Sequence, residues 1–77
     1  MPTRIFIYDD STERRESLKA LLAFNDELKF VGEAMNCINV LKEIDNFYPD
    51  IVLMDISMPD VDGIEGLRII KLHHPEV

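Results

Sequence analysis

The chain has 77 residues, which allows one domain at most, and a chain this short buries only roughly 60 % of the surface its unfolded form exposes. Its formal net charge of −7 argues against this segment gripping nucleic acid, because such binding rests on Lys and Arg neutralising phosphates. The single cysteine, Cys37, excludes an internal disulfide and a cysteine-clustered zinc site, and fits a reducing compartment, taken here as the cytoplasm.

After Met-Pro-Thr-Arg come only four apolar residues, Ile5-Phe6-Ile7-Tyr8. That run is too short for a leader core or a membrane span. It reads instead as a strand buried on both faces, as parallel sheets require. Asp9, Asp10 and Ser11 end it. Thr12 to Phe24 is expected to be a helix, with Leu18, Leu21 and Leu22 at the i, i+3, i+4 spacing of one buried face. Asp10 or Ser11 can cap its N-terminus, and Glu13 lies in the favourable first turn.

Asn25-Asp26 signals a turn. Lys29 to Ala34 is a strand candidate weakened by Gly32. Asn36 is expected to cap a second helix in which Cys37, Val40, Leu41, Ile44 and Tyr48 repeat at helical spacing. Tyr48-Pro49 stops it, since the residue before a proline avoids the helical region. Ile51-Val52-Leu53-Met54 is a second continuous apolar strand and ends in Asp55. The segment from Ile56 to Gly63 is rich in turn formers. A third helix follows, with Asp62 as cap and Ile64, Leu67 and Ile70 on its buried side. His73-His74-Pro75 ends it, and Glu76-Val77 reads as the start of a further strand.

Strands alternating with helices predict a doubly wound parallel α/β sheet with helices on both faces. In such sheets ligands bind beyond the carboxyl ends of the strands, where strand order reverses. Both strong strands end in acid, so Asp9, Asp10 and Asp55 converge if those strands are neighbours. Two carboxylates about 4 Å apart repel by on the order of 4 kcal/mol at an effective dielectric of 20. A cation or a proton must offset that repulsion. Mg²⁺ is the natural candidate, since it takes oxygen ligands and often only one or two carboxylates beside waters and a phosphate. A carboxylate nucleophile beside such an ion suits phosphoryl transfer to Asp. The plainer alternative is helix capping and turn formation by the Asp pair.

At these residues the sequence resembles the receiver domains of bacterial two-component response regulators. The matching pieces are the apolar strand followed by Asp9-Asp10, and the run Pro49-Asp50-Ile51-Val52-Leu53-Met54-Asp55-Ile56-Ser57-Met58-Pro59-Asp60-Val61-Asp62-Gly63. The details look most like receivers that precede a helix-turn-helix DNA-binding domain.

The resemblance implies a flavodoxin-like fold with strand order 2-1-3-4-5. It implies that Asp55 is the phospho-acceptor, that Asp10 ligates Mg²⁺ directly, and that Asp9 helps directly or through a water. Ser57 would offer its backbone carbonyl to the metal. The donor would be a phosphohistidine on a sensor histidine kinase, or a small phosphodonor, and Arg14, Arg15 and Leu18 would lie on a kinase-facing helix. The domain would be a phospho-acceptor that regulates an output such as transcription, and not a turnover enzyme. Haloacid-dehalogenase-like phosphatases need a second acid two residues after the nucleophile, where this chain has Ser57.

A complete receiver has five strands and roughly 120 residues, within the usual domain size. Residues 1–77 are therefore expected to be the N-terminal portion of a single receiver domain, with the first three of five β/α units. The family's hydroxyl at the end of strand four and lysine at the end of strand five fall outside them. None of Lys19, Lys29, Lys42 and Lys71 stands at a strand end facing Asp55. The strand Ile51 to Met54 would become an edge, inviting self-association. DNA would be contacted only through an output domain, and no membrane partner is expected. His73 and His74 are expected on the surface, Cys37 in the core, and Asp60 and Asp62 in solvation or capping.

Overall fold

A computed structural model describes residues 2–58 and 61–77. The elements run β1 (Thr3–Tyr8), α1 (Thr12–Leu22), β2 (Leu28–Ala34), α2 (Val40–Phe47), β3 (Ile51–Met54) and α3 (Gly63–His73). The three strands form one parallel sheet in the order β2-β1-β3. This order matches the first three strands of the order that the resemblance implies, with the first crossover leading to one side of β1 and the second to the other. Strand order therefore reverses at β1.

The apolar run of β1 is the centre of the molecule: Ile5 to Tyr8 are all buried. Alternate side chains face opposite sides of a sheet. Phe6 and Tyr8 join Cys37, Val40, Ile44, Met58 and Ile70 in the main core on the α2/α3 side. Ile7 lines the other side beside Leu18 of α1 and Leu53 of β3. The register of β1 with β2 slips between Ile5 and Phe6, just before Gly32. The glycine that weakened the strand in sequence thus marks a bulge.

Arg4 fastens the α2–β3 connection. Its guanidinium donates to the carbonyls of Phe47 (2.5 Å) and Tyr48 (3.1 Å), the last turn of α2. A cation is favourable at those carbonyls. Its backbone N–H donates to an Asp50 carboxylate oxygen at 2.8 Å, and the Asp50 N–H returns to the Arg4 carbonyl at 2.8 Å. β3 is thereby set in register beside β1, with Ile5 opposite Ile51 and Tyr8 opposite Met54.

Several sequence expectations shift. The buried face of α1 does not form: the helix has no buried residue, Leu18 and Leu22 are half-buried, and Leu21 is 66 % exposed. The helix ends at Leu22 and not at Phe24. In α2 the N-cap is Asn39; Asn36 instead closes a turn by accepting the Ile38 N–H. Tyr48, counted in the apolar repeat, is an exposed left-handed C-cap at φ 49°. The buried stripe of α3 is Gly63, Gly66 and Ile70, whereas Ile64 and Leu67 face outward.

The physical reason for that last shift is close packing. A Cβ on Gly66 would lie 2.5 Å from the Cys37 sulfur, so the helix face lacking side chains is the one that can seat against the core. Glu76 and Val77 lie in a turn after α3, and Val77 folds back against the core. His74 is half-buried, and its Nε2 pairs with Asp45 at 2.6 Å, tying the end of α3 to α2. Cys37 is buried as expected, and burial pushes its thiol up to about 11.

Candidate functional site

β1 and β3 deliver their acids together because the parallel ladder continues past the strands. The Asp55 N–H donates to the Tyr8 carbonyl at 2.8 Å, and the Asp9 N–H donates to the Ala34 carbonyl at 3.1 Å. Carboxylate oxygens of Asp9, Asp10 and Asp55 consequently lie within 4.8 Å of one another. Asp9 is buried, Asp55 half-buried and Asp10 exposed, so the cluster opens from the sheet end to solvent. The expectation that these three residues share one pocket agrees with this geometry.

Local turns fix two of the carboxylates. An Asp9 oxygen accepts the Ser11 N–H at 2.8 Å, and an Asp55 oxygen accepts the Ser57 N–H at 3.2 Å. Ser11, not Asp10, caps α1, accepting the Arg14 N–H through its hydroxyl at 3.2 Å. Asp10 is left free to face the pocket. Asp62 caps α3 by accepting the Glu65 N–H at 2.9 Å. Pro59 and Asp60 lie outside the described residues.

Gly63 closes tightly against the backbone of Asp55 and Ile56. The Gly63 N–H donates to the Ile56 carbonyl at 3.0 Å. A Cβ at Gly63 would stand 2.1 Å from the Asp55 carbonyl oxygen and 2.7 Å from the Ile56 Cα. Both are backbone atoms that cannot turn aside, so only glycine fits there.

Arg14 is the residue that the sequence reading did not place in the site. Its Nε donates to both Asp9 oxygens, at 2.9 and 3.1 Å. One terminal nitrogen bridges Asp10 at 3.3 Å and Asp55 at 3.1 Å. This bonding holds the Asp9 carboxyl below the usual carboxylate range, against the opposing effect of burial. The signal was present in outline, since repelling carboxylates call for a cation and Arg14 lies four residues after Asp10. Arg15 supports the same strand end: it donates to the Asp9 backbone carbonyl at 2.6 Å and to Glu33 at 2.7 Å. Lys19 completes that support with a 2.6 Å bond to Glu33, which lowers the Glu33 carboxyl. Both guanidinium groups expected to face a kinase are thus engaged with acids at the sheet end.

The donor set fits a hard divalent cation. It consists of carboxylate oxygens, it is open to water, and its three formal negative charges exceed the single positive charge of Arg14. A small oxygen-seeking ion with retained waters matches such a set.

An acidic pocket at the switch point of an open parallel sheet defines the class, and comparison with known proteins gives the family. The model of the response regulator receiver domain matches residues 5–77, and the chain belongs to that family. It is 43 % identical over 95 % of its length to a protein-glutamate methylesterase/protein-glutamine glutaminase of Lawsonia intracellularis, covering 20 % of that protein. It is 39 % identical over 92 % of its length to the transcriptional regulatory protein YdfI of Bacillus subtilis, covering 33 % of it. The chain thus spans about a fifth to a third of these curated relatives. The response regulator domain of Thermotoga maritima CheB superposes with a TM-score of 0.91 at 32 % identity, over 97 % of this chain and 56 % of that one.

Proposed function

We propose that this receiver domain is the phospho-acceptor of a two-component system, with Asp55 as the accepting residue. The carrying observation is the convergence of Asp9, Asp10 and Asp55 at the β1/β3 tips. An Asp55 oxygen attacks the phosphorus of a phosphohistidine on a sensor histidine kinase. An oxygen–phosphorus bond forms, the nitrogen–phosphorus bond breaks, and the imidazole nitrogen keeps the electron pair and takes a proton. The turn from Asp55 to Ser57 orients the nucleophile, and Gly63 packs against the backbone of Asp55 and Ile56 beside it.

Asp10 and Asp55 would hold Mg²⁺, with Asp9 helping directly or through a water and Ser57 giving its backbone carbonyl. The ion supplies charge neutralisation to a transferring phosphoryl group. Residues 1–77 then form the N-terminal portion of one receiver domain acting in the cytoplasm. Among the described residues no helix is long and apolar enough to cross a membrane. The phosphorylated domain regulates an output, transcription being favoured by relatives such as YdfI. DNA is contacted by an output domain outside residues 1–77, in keeping with the charge of −7. Turnover chemistry is assigned to no residue of this chain.

A second reading, self-association, is favoured by the position of β3. It pairs with β1 alone, which leaves its other edge open among the described residues. Such an edge can pair with a strand of another chain.

Incubation with acetyl phosphate and Mg²⁺ is expected to add one phosphoryl group by intact mass, and Asp55→Asn to abolish the gain. No gain with either acetyl phosphate or a phosphorylated kinase would refute the phospho-acceptor reading. A stable monomer by light scattering at high concentration would refute the second.

A further inference from the structure

We propose that Arg14 is a built-in counter-cation of the Asp9–Asp10–Asp55 cluster, which a divalent cation must displace, so that Arg14 sets the metal affinity of the pocket. This inference rests on the reading of the cluster as a divalent-cation site.

One guanidinium touches all three acids, at 2.9 Å for Asp9, 3.1 Å for Asp55 and 3.3 Å for Asp10. Among the described residues no other lysine or arginine forms an ion pair with any of the three carboxylates; Arg15 and Lys19 pair with Glu33, and Arg15 meets Asp9 at its backbone carbonyl. The position runs against local preference. Arg14 is in the first turn of α1, where the helix dipole disfavours a cation. Its placement there is offset by the acids it meets.

The clasp is also built to open. The Asp10 and Asp55 contacts are longer than the 2.7–2.9 Å of strong charge-assisted bonds, and they share one nitrogen. The Arg14 side chain is 59 % exposed, so it can swing into water without disturbing the core. It neutralises one of three formal charges, which leaves the pocket attractive to a divalent ion. The ion and the guanidinium cannot both occupy it, because like charges at such distances repel. Without metal, Arg14 holds β1, β3 and α1 together at their shared end. With metal, that role passes to the ion and Arg14 is released to the surface.

The test is Mg²⁺ titration of the purified protein and its Arg14→Gln and Arg14→Lys variants, by calorimetry and by Tm against Mg²⁺ concentration. Arg14→Gln is expected to bind Mg²⁺ about tenfold tighter, the scale of a few exposed ion pairs broken on binding. Without Mg²⁺ its Tm is expected to lie below that of the unmodified protein, and the gap to close at saturating Mg²⁺. Arg14→Lys, which keeps the charge and loses the fork, should fall between. A purely structural arginine would lower Tm equally with and without Mg²⁺ and leave affinity unchanged, which would overturn the inference while the cation-site reading stood. Weaker Mg²⁺ binding in Arg14→Gln would overturn it as well. Absence of Mg²⁺ binding in all three proteins would refute the cation-site reading and the inference together.

Discussion

The two faces of the sheet are held in different ways. On the α2/α3 side, Phe6 and Tyr8 are packed into a closed apolar core with Val40, Ile44 and Ile70. On the α1 side no helical residue is buried, and the helix is fastened through Arg14, Arg15 and Lys19 to Asp9 and Glu33. Apolar packing carries no charge to screen or titrate, whereas exposed ion pairs are screened by salt and lost once acid protonates their carboxylates. The face that carries the structure is thus separate from the face whose charges serve the acidic pocket.

The sharpest way to break this comparison is to truncate each face in turn. Phe6→Ala removes a fully buried ring that also stacks near Tyr8, with centroids 4.7 Å apart. It is expected to cost about 3–5 kcal/mol in urea unfolding. Gly66→Ala should cost about 1–3 kcal/mol by overpacking, because its Cβ would meet the Cys37 sulfur at 2.5 Å. Cys37→Ala in the same chain should recover part of that loss, and a double-mutant cycle measures the coupling. Leu18→Ala on the α1 side should cost less than either, about 1 kcal/mol, since Leu18 is only half-buried. An equal loss for Leu18 and Phe6 would contradict the asymmetry.

The smallest effects concern charge. Asp9 and Glu33 are both lowered from their ordinary values of 3.8 and 4.5. Groups with depressed values contribute stability that is complete above their unfolded values and lost as pH falls through the folded ones. Tm is therefore expected to decline on acidification below about pH 4. Glu43 acts in the opposite sense, because burial raises its carboxyl despite the 3.0 Å bond from the Tyr8 hydroxyl. The penalty on its ionised form disappears as pH falls. Raising salt from 0.05 to about 0.5 M at pH 7 should lower Tm by about 2 °C through the α1 pairs. Arg15→Gln, which removes the 2.7 Å pair with Glu33, should abolish much of that salt response. An unchanged response would place the salt-sensitive charges elsewhere.

The family, the element order and the acidic strand ends were legible in the chain alone, because continuous apolar runs ending in Asp report both burial and position. Asp62 as a cap and Cys37 as core were legible for the same reason, being set by near neighbours. The wrong faces of α1 and α3 came from counting apolar spacing without knowing which surface each helix meets. Ile64 and Leu67 satisfy the periodicity as well as Gly63 and Gly66 do. Close approach selects the glycine face, of Gly66 to Cys37 and of Gly63 to the Asp55 and Ile56 backbone.

Sequence by itself determined the alternation of strands and helices and the three carboxylates, since these follow from local pattern and residue identity. Tertiary structure realises the placement of β1 between β2 and β3, which the family resemblance implied but no local pattern could require, and so brings residues 46 positions apart, Asp9 and Asp55, to one edge. It also decided which arginine answers them. Arg14 and Arg15 are adjacent in the chain, but a helix turns successive side chains about 100° apart, so one meets the acid cluster and the other meets Glu33.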